Sequence, residues 1–355
     1  MLSINKTAED SKAEDIHISV IMPVYKSEQY LDVAVRSVLE QQFDGFELIL
    51  VDDGSPDESG RICDDFAIKD SRVVVIHKEN GGSCSARNAG LQKARGKYVT
   101  FCDNDDEYLP GLLADNYALA EQYSVDVVRY SRFKTETLNG RTVTETITRG
   151  FSQRVITADN FAENYEELRR TGLGVWTGLY RRAFLQKNNI RFDEKMRYGY
   201  EDKMFNLSCY YCGATIALNP KPYYRWLQRL EHSTTGKFAD NVTYSLIKCL
   251  RLETRMVLLH RIIEENPGIW HIVLTKDYIA EIYARLRPGA VQGDKKTIIR
   301  TLSRFRKEET FDIPSNSEEK KALRRESFST WLMWTLFQKR KLMLLYRLIY
   351  LKNRK

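Results

Sequence analysis

The N-terminal third of the chain alternates between two hydrophobic periods. "ISVIMPVY" is a continuous, β-branched apolar run that stops at a polar loop, the pattern of a strand buried on both faces. In "SEQYLDVAVRSVLEQQF", Leu31, Val35, Val38 and Leu39 recur at i, i+4, i+7 and i+8, which predicts a helix with one apolar face and Ser27 as its cap. "FELILVDDGSPDES" reads as a strand entering a turn, "ESGRICDDFAIK" as a helix and "RVVVIH" as a strand. "SCSARNAGLQKARG" reads as a helix closed by Gly96 at its C′ position, and "KYVTFCDNDD" as the next strand. Strands and helices alternating through short connections predict an α/β fold, a mostly parallel central sheet with helices on both faces.

The pattern changes past Val125. From there to Thr157 the chain is mixed and polar, with a hairpin signal at "TLNGRTVT". From about Ala239 onward it is helical, broken by the polar "FDIPSNSEE". The expected organisation is a flexible N-terminus at 1–15, an α/β domain at 16–238 and a C-terminal helical, basic region at 239–355.

In parallel sheets, ligands bind beyond the carboxyl ends of the strands. Tyr25 follows the first predicted strand, Asp52 and Asp53 end the second, and Asp103, Asp105 and Asp106 follow the fourth. A turn or cap role accounts for an Asp such as Asp57 or Asp64 taken singly. It does not require carboxylates stacked at neighbouring strand tips. Such a cluster repels itself unless a cation neutralises it, and hard oxygen ligands favour Mn²⁺ or Mg²⁺. An EF-hand is excluded, because the sixth position from Asp103 is Tyr108 and the twelfth is Ala114. No G-x-G-x-x-G follows the first strand, which disfavours a dinucleotide-dependent dehydrogenase.

Composition adds three constraints. With 43% hydrophobic and 29% charged residues, the chain has the material for a sizeable core. The net charge of +7 is concentrated late: residues 318–355 hold eleven Lys or Arg against three Glu. This is a mild bias toward an acidic surface, and nucleic acid is not an expected partner. The opening "MLSINKTAEDSKAEDIHISV" lacks the basic and apolar segments of a secretion signal, and the six cysteines are scattered, with Cys209 and Cys212 forming a lone CxxC. Free thiols and no apolar run of roughly 18 residues predict a cytoplasmic protein.

The ordered motifs "SVIMPVYKSEQYLDVAVRSVLEQQFDGFELILVDDGSPDES" and "ENGGSCSARNAGLQKARGKYVTFCDNDDEYLP" resemble the nucleotide-diphospho-sugar glycosyltransferases of family 2, with the GT-A fold. "WTGLYRRAF" and "GYEDKMFN" resemble the second half of the same domain, as found in enzymes of bacterial surface polysaccharide synthesis. The resemblance implies that Pro23 and Tyr25 line a base pocket, with Tyr25 as a stacking ring. It implies that Asp53 accepts a hydrogen bond from the base (uracil in many relatives), supported by Asp52. Gly81 and Gly82 would let the backbone approach the nucleotide. Arg87 would either pair with phosphate or brace the aspartates. Asp103 would sit near ribose and metal, Asp105 would ligate the metal, and Asp106 would bind donor sugar hydroxyls. His232 falls where relatives place a further metal or diphosphate contact, although "WLQRLEH", with Arg229, lengthens the segment before it.

Transfer also needs a base for the acceptor hydroxyl. The resemblance assigns it to the second member of a Glu-Asp pair, here Asp202 beside Glu201. Two adjacent carboxylates shift one another's pKa, while acids that merely favour a helix dipole are the plainer alternative. Trp176 is either an acceptor platform or a core residue. The tail "STWLMWTLFQKRKLMLLYRLIYLKNRK" suits either a helix lying on an anionic membrane or one packed on protein. The expected function is an inverting, metal-dependent transfer of sugar from a nucleotide-sugar donor, a UDP-sugar in particular. Its acceptor would be a saccharide or lipid-linked acceptor, as in capsule, O-antigen or exopolysaccharide synthesis at the inner face of the plasma membrane. A sugar nucleotidyltransferase and a non-catalytic sugar-nucleotide or membrane-binding module are the alternatives.

Overall fold

The computed structural model describes residues 16–139, 141–147, 151–172, 174–196, 199–229, 240–265, 278, 295–308, 321, 324–325 and 328–352. The chain forms two compact units: Met1–Asn160 with Glu166–Arg197 and Glu201–Glu231, and Phe161–Tyr165 with Tyr198–Tyr200 and His232–Lys355. The sequence placed the division between 238 and 239; the short pieces at 161–165 and 198–200 carry no periodicity that sets them apart.

Through its first half, the first unit alternates β1 (Ile18–Val24), α1 (Leu31–Leu39), β2 (Phe46–Asp52), α2 (Ser59–Lys69), β3 (Val73–His77), α3 (Ser83–Lys93), β4 (Tyr98–Phe101), β5 (Glu107–Tyr108) and α4 (Leu112–Tyr123). It continues with β6 (Val127–Leu138), β7 (Arg141–Ile147), β8 (Arg154–Ile156), α5 (Phe161–Arg170), β9 (Gly178–Arg181), α6 (Arg182–Lys187), α7 (Glu201–Tyr211) and β10 (Ile216–Arg229). Of α5, Phe161–Tyr165 belong to the second unit. The sheet order is β3-β2-β1-β4-β9-β6-β10-β5, with β7 on β6 and β8 on β10.

β1 runs parallel to β2 and β4, and β2 parallel to β3. Register puts Val24 beside Asp52 and Asp52 beside His77, so three strands end at one level and their loops open on one edge. The predicted parallel sheet holds for these strands and for β6 with β10, whereas β9 inserts antiparallel between β4 and β6. The hairpin β6–β7 closes beside Asn139. β1 and β2 are almost wholly buried, as their unbroken apolar runs require. Ile18, Val20, Met22 and Val24 share a core with Leu31, Ala34, Val35 and Val38 of α1. Ile21, on the opposite face by strand alternation, meets Gly90 of α3.

Two local expectations change. α1 begins at Leu31 with no side-chain cap, and the Ser27 carbonyl, not its hydroxyl, accepts the Tyr30 and Leu31 N–H groups. α3 ends at Lys93 with Ala94 extended, so Gly96 does not close it as a left-handed C′ residue. Gly96 is instead pressed against β1: a Cβ there would lie 2.5 Å from the Ser19 nitrogen and 2.7 Å from the Ile18 carbonyl carbon.

The second unit is helical, with α8 (Asp240–Leu259), α9 (Ile262–Glu265), α10 (Lys295–Arg306), α11 (Phe328–Gln338) and α12 (Leu342–Lys352). Arg251 pairs with Glu308 at 2.6 Å, and buried Glu253 accepts hydrogen bonds from Tyr165 and Tyr278. Trp334, Phe337 and Leu345 of the tail are buried within it, while Phe328, Met343 and Leu344 are exposed. Among the described residues no helix is long and apolar enough to cross a membrane.

Because the atoms facing Gly96 are backbone and cannot rotate away, Gly96→Ala is expected to cost about 3 kcal/mol through overpacking. Denaturant unfolding checks this: the midpoint falls with the slope retained. An unchanged midpoint would show that β1 yields to the added methyl group.

Candidate active site

Arg87 is the centre of the site. It sits on α3, its side chain 5% exposed, and its guanidinium reaches three carboxylates. Nη2 donates to Asp103 Oδ1 at 2.8 Å; Nη1 donates to Asp202 Oδ1 at 3.1 Å and lies 3.5 Å from Glu201 Oε1. Burial works against the charged form, and Asp202, Asp103 and Glu201 outweigh it, so Arg87 stays protonated. Of the two roles open to Arg87 in the sequence, bracing the aspartates is the one seen. It joins the tip of β4 to the start of α7, a hundred residues further along the chain.

Asp202 occupies the first turn of α7, yet its carboxylate turns toward Arg87, and Oδ2 accepts the Val175 N–H at 3.3 Å. Burial raises its pKa, Arg87 opposes, and Glu201 and Asp103 raise it further, to about 7. Glu201 Oε2 is buried with no hydrogen-bond partner among the described residues. These are not merely acids at a helix start.

At the β4 rim the three aspartates divide. Asp106 is buried, and both oxygens are used: Oδ2 accepts the Tyr224 hydroxyl at 2.8 Å and Oδ1 the Leu227 N–H at 2.8 Å. This corrects its assignment to donor hydroxyls, since no oxygen is left facing out. Asp105 is 41% exposed and paired with Arg229, Nη1 to Oδ2 at 2.8 Å, whose guanidinium also lies 3.7 Å over the Tyr30 ring. Burial and then the Asp103 charge raise the Asp105 pKa, against Arg229. Asp103 Oδ2 and Asp105 Oδ1 carry no hydrogen bond among the described residues. Two carboxylate oxygens are thereby left without a hydrogen bond at the rim, the hard donor type that Mn²⁺ or Mg²⁺ takes. No group of three or more candidate ligands occurs among the described residues, and His232 lies outside them.

The second cluster lies at the tips of β1, β2 and β3. Tyr25 is 42% exposed, with Lys26 over its ring at 5.4 Å; Pro23 pairs with Val51 within the sheet. Asp53 is not the outward acceptor that the motif implies. Its side chain is 3% exposed, and it accepts Lys78 Nζ at 2.6 Å, the Gly81 N–H at 3.0 Å and the Gly82 N–H at 2.7 Å. Asp53 therefore holds the 78–82 loop against the sheet. Gly82 has φ +86, and a Cβ there would meet nothing within 4 Å, whereas one at Gly81 would lie 2.7 Å from the Ser85 hydroxyl oxygen. Asp52 accepts the Ser55 N–H at 3.0 Å and faces His77 Nδ1 at 3.0 Å.

Trp176 is 9% exposed, stacks on Tyr224 at 4.6 Å and has the Arg132 guanidinium over it at 4.9 Å. It is packed as a wall of the core, one of the two places its sequence context left open. Sequence reasoning missed Lys78, Tyr224 and Arg132. Lys78 sits two residues before the "NGG" turn and offered a signal; the other two touch the site only through strand pairing.

The mixed sheet with its acidic rim is that of GT-A proteins. The crystal structure of S. aureus TarS 1-349 in complex with UDP-GlcNAc matches with a TM-score of 0.70, over 96% of this chain and 92% of that one; at 20% identity this establishes the fold. Residues 19–188 match Glycosyl transferase family 2, and this part of the chain is a domain of that family. EpsJ of Bacillus subtilis (strain 168), an uncharacterized glycosyltransferase, is 36% identical over 195 residues, covering 54% of this chain and 56% of EpsJ. The poly(ribitol-phosphate) beta-N-acetylglucosaminyltransferase TarS of Staphylococcus aureus (strain Mu50 / ATCC 700699) is 28% identical over 245 residues, 66% of this chain and 40% of TarS. The match thus spans about half the length of these curated relatives.

His77 bridges Asp52 at 3.0 Å and Asp64 at 2.9 Å, and these two partners raise its pKa against burial. A raised imidazole pKa stabilises the fold fully below the unfolded value near 6.5 and loses that contribution as pH rises through the folded value. The ring is half exposed, so the effect is under about 1 kcal/mol. The melting difference between the native chain and His77→Gln should therefore shrink from pH 6 to pH 8, values chosen on the order of one unit either side of neutrality. An unchanged difference would show that the bridge is uncharged.

Proposed function

We propose that this protein is an inverting, metal-dependent glycosyltransferase that moves a sugar from a nucleotide-diphosphate sugar to an acceptor hydroxyl. The observation that carries the reading is the single guanidinium of Arg87 tying Asp103, at the metal-accepting rim, to Asp202, whose pKa stands at about 7. The donor side and the proton-accepting side are thereby fixed to one another, as a direct displacement requires.

In this reading Asp103 and Asp105 hold the divalent ion, which supplies charge neutralisation for the departing diphosphate. Asp202 Oδ takes the proton from the acceptor hydroxyl. The freed oxygen bonds to the anomeric carbon from the side opposite the diphosphate, and the electron pair of the breaking C–O bond leaves with the nucleotide. Arg87 keeps Asp202 aligned, and Glu201 and Asp103 keep it basic enough to accept a proton. Tyr25 offers its exposed ring to the base, and the Gly82 backbone lies open beside it. UDP-GlcNAc bound in the TarS structure supports a uridine donor. GgaB, a minor teichoic acid biosynthesis protein of Bacillus subtilis (strain 168) that is 35% identical over 206 residues, supports a surface-polymer acceptor.

An α-linked donor should yield a β-linked product, read by proton NMR of the anomeric coupling, and retention would overturn the mechanism. Asp202→Asn should lower kcat/KM by about 10²–10⁴ while leaving donor affinity within twofold. In the native enzyme kcat/KM should climb with pH through about 7, because only the carboxylate accepts a proton. Chelation should abolish turnover and Mn²⁺ restore it. Full activity of Asp202→Asn would remove the base from this residue.

A further inference from the structure

Arg87 and Arg129 are buried in the first unit and Arg132 is partly buried, and their surroundings differ. Arg87 has its three carboxylates. The two Nη atoms of Arg129 have neutral acceptors: the carbonyls of Gly172 and Gly174, the hydroxyls of Tyr180 and Thr177, and Asn206 Oδ1, all within 3.2 Å; its Nε, like that of Arg87, has none among the described residues. Arg132, three residues further along β6, has neither. Its hydrogen bond, Nη1 to the Thr171 carbonyl, is 3.5 Å long, its Nε is buried with no acceptor, and no carboxylate pairs with it among the described residues. Burial, and then the Arg129 charge, lower its pKa to about 10.

What does surround Arg132 is aromatic. Its guanidinium lies 4.9 Å over Trp176 and 6.0 Å over Trp226, and Lys134, on the same strand face, lies 5.5 Å over Trp226. Lys134 is already paired with Glu136 at 2.6 Å, which leaves Arg132 as the uncompensated charge of this cluster. Strand register sets Arg132 opposite Tyr224 and Lys134 opposite Trp226. Tyr224 reaches Asp106 at one end and stacks on Trp176 at the other. The residue before Trp176, Val175, donates its N–H to Asp202. A cation without a counter-ion, on indole rings, is thus anchored one residue from the contact that orients Asp202. The metal-accepting rim lies at the far end of the Tyr224 ring.

A partly buried guanidinium with unused N–H groups matches the planar, bidentate geometry of a phosphate, and indole faces suit the carbon skeleton that carries it. We propose that Arg132, over Trp176 and beside Trp226, is a phosphate-binding subsite for an acceptor that carries a phosphate monoester or diester. The word acceptor rests on the transferase reading; the phosphate site does not. The donor diphosphate is the other possible source of the same chemistry, and its expected place is the Asp103–Asp105 rim.

Calorimetric titration of the full chain with glycerol 1-phosphate, and with glycerol as the neutral control, tests this with and without saturating UDP and Mn²⁺. Glycerol 1-phosphate should bind in both conditions and glycerol in neither. Arg132→Met should weaken glycerol 1-phosphate by about tenfold or more and leave UDP affinity within twofold, which also shows that the variant is folded. Arg132→Lys, which keeps the charge and loses the fork, should fall between them. Equal binding by the native chain and Arg132→Met, or no binding by the native chain, would overturn the subsite. Displacement of glycerol 1-phosphate by UDP would assign Arg132 to the donor and overturn it equally. Failure of UDP itself to bind would overturn the transferase reading, while the glycerol 1-phosphate titration would still decide Arg132.

Discussion

One buried positive charge holds this site together. Asp103, Glu201 and Asp202 come from a strand tip and a helix start that the chain brings close, and without Arg87 they would repel in a poorly solvated space. Removing one partner of such a network leaves the others buried and unpaired, which costs far more than the net value of the pairs. Arg87 can hold this position because α3 is clamped to β1 through Gly90, where any side chain would strike Ile21. Sheet packing thus determines where the charge sits, and the charge determines how close the two carboxylate groups stand.

The same economy appears at the edge where β1, β2 and β3 end. Parallel register ends β1, β2 and β3 at one level, so Tyr25, Asp53 and Lys78 emerge together. Asp53 then fixes the loop that carries Gly81 and Gly82, an interior role for a residue whose motif suggested a direct ligand contact. Asp106 does likewise for Tyr224 and the β10 backbone. In both places one acid of a pair is spent on structure and its neighbour, Asp52 or Asp105, occupies the more solvated position or a different partner. Acid clusters of this kind are part scaffold and part ligand.

Much of this was legible in the chain. Continuous apolar runs marked β1 and β2, 3.6-residue spacing marked α1, and carboxylates at strand ends marked the edge where chemistry gathers. What was not legible depended on distance through the fold. Nothing local links Tyr224 to Asp106 or Arg132 to Trp176, because those contacts arise only once β10 pairs with β5 and β9 with β6. β9 gave no sign that it would enter antiparallel, since its four residues are too few to show a period. Gly96 was misread for a related reason: a glycine after a helix usually serves a left-handed turn, and here it serves a close approach to another strand.

Carbon-13 NMR of the aspartate carboxyl groups, assigned with Asp202→Asn, measures directly the electrostatic character of Asp202 on which the site depends. The signal of Asp202 should titrate with a midpoint near 7, the value set by burial, Glu201 and Asp103 against Arg87. A midpoint of about 4, the ordinary range of a solvated carboxylate, would contradict it.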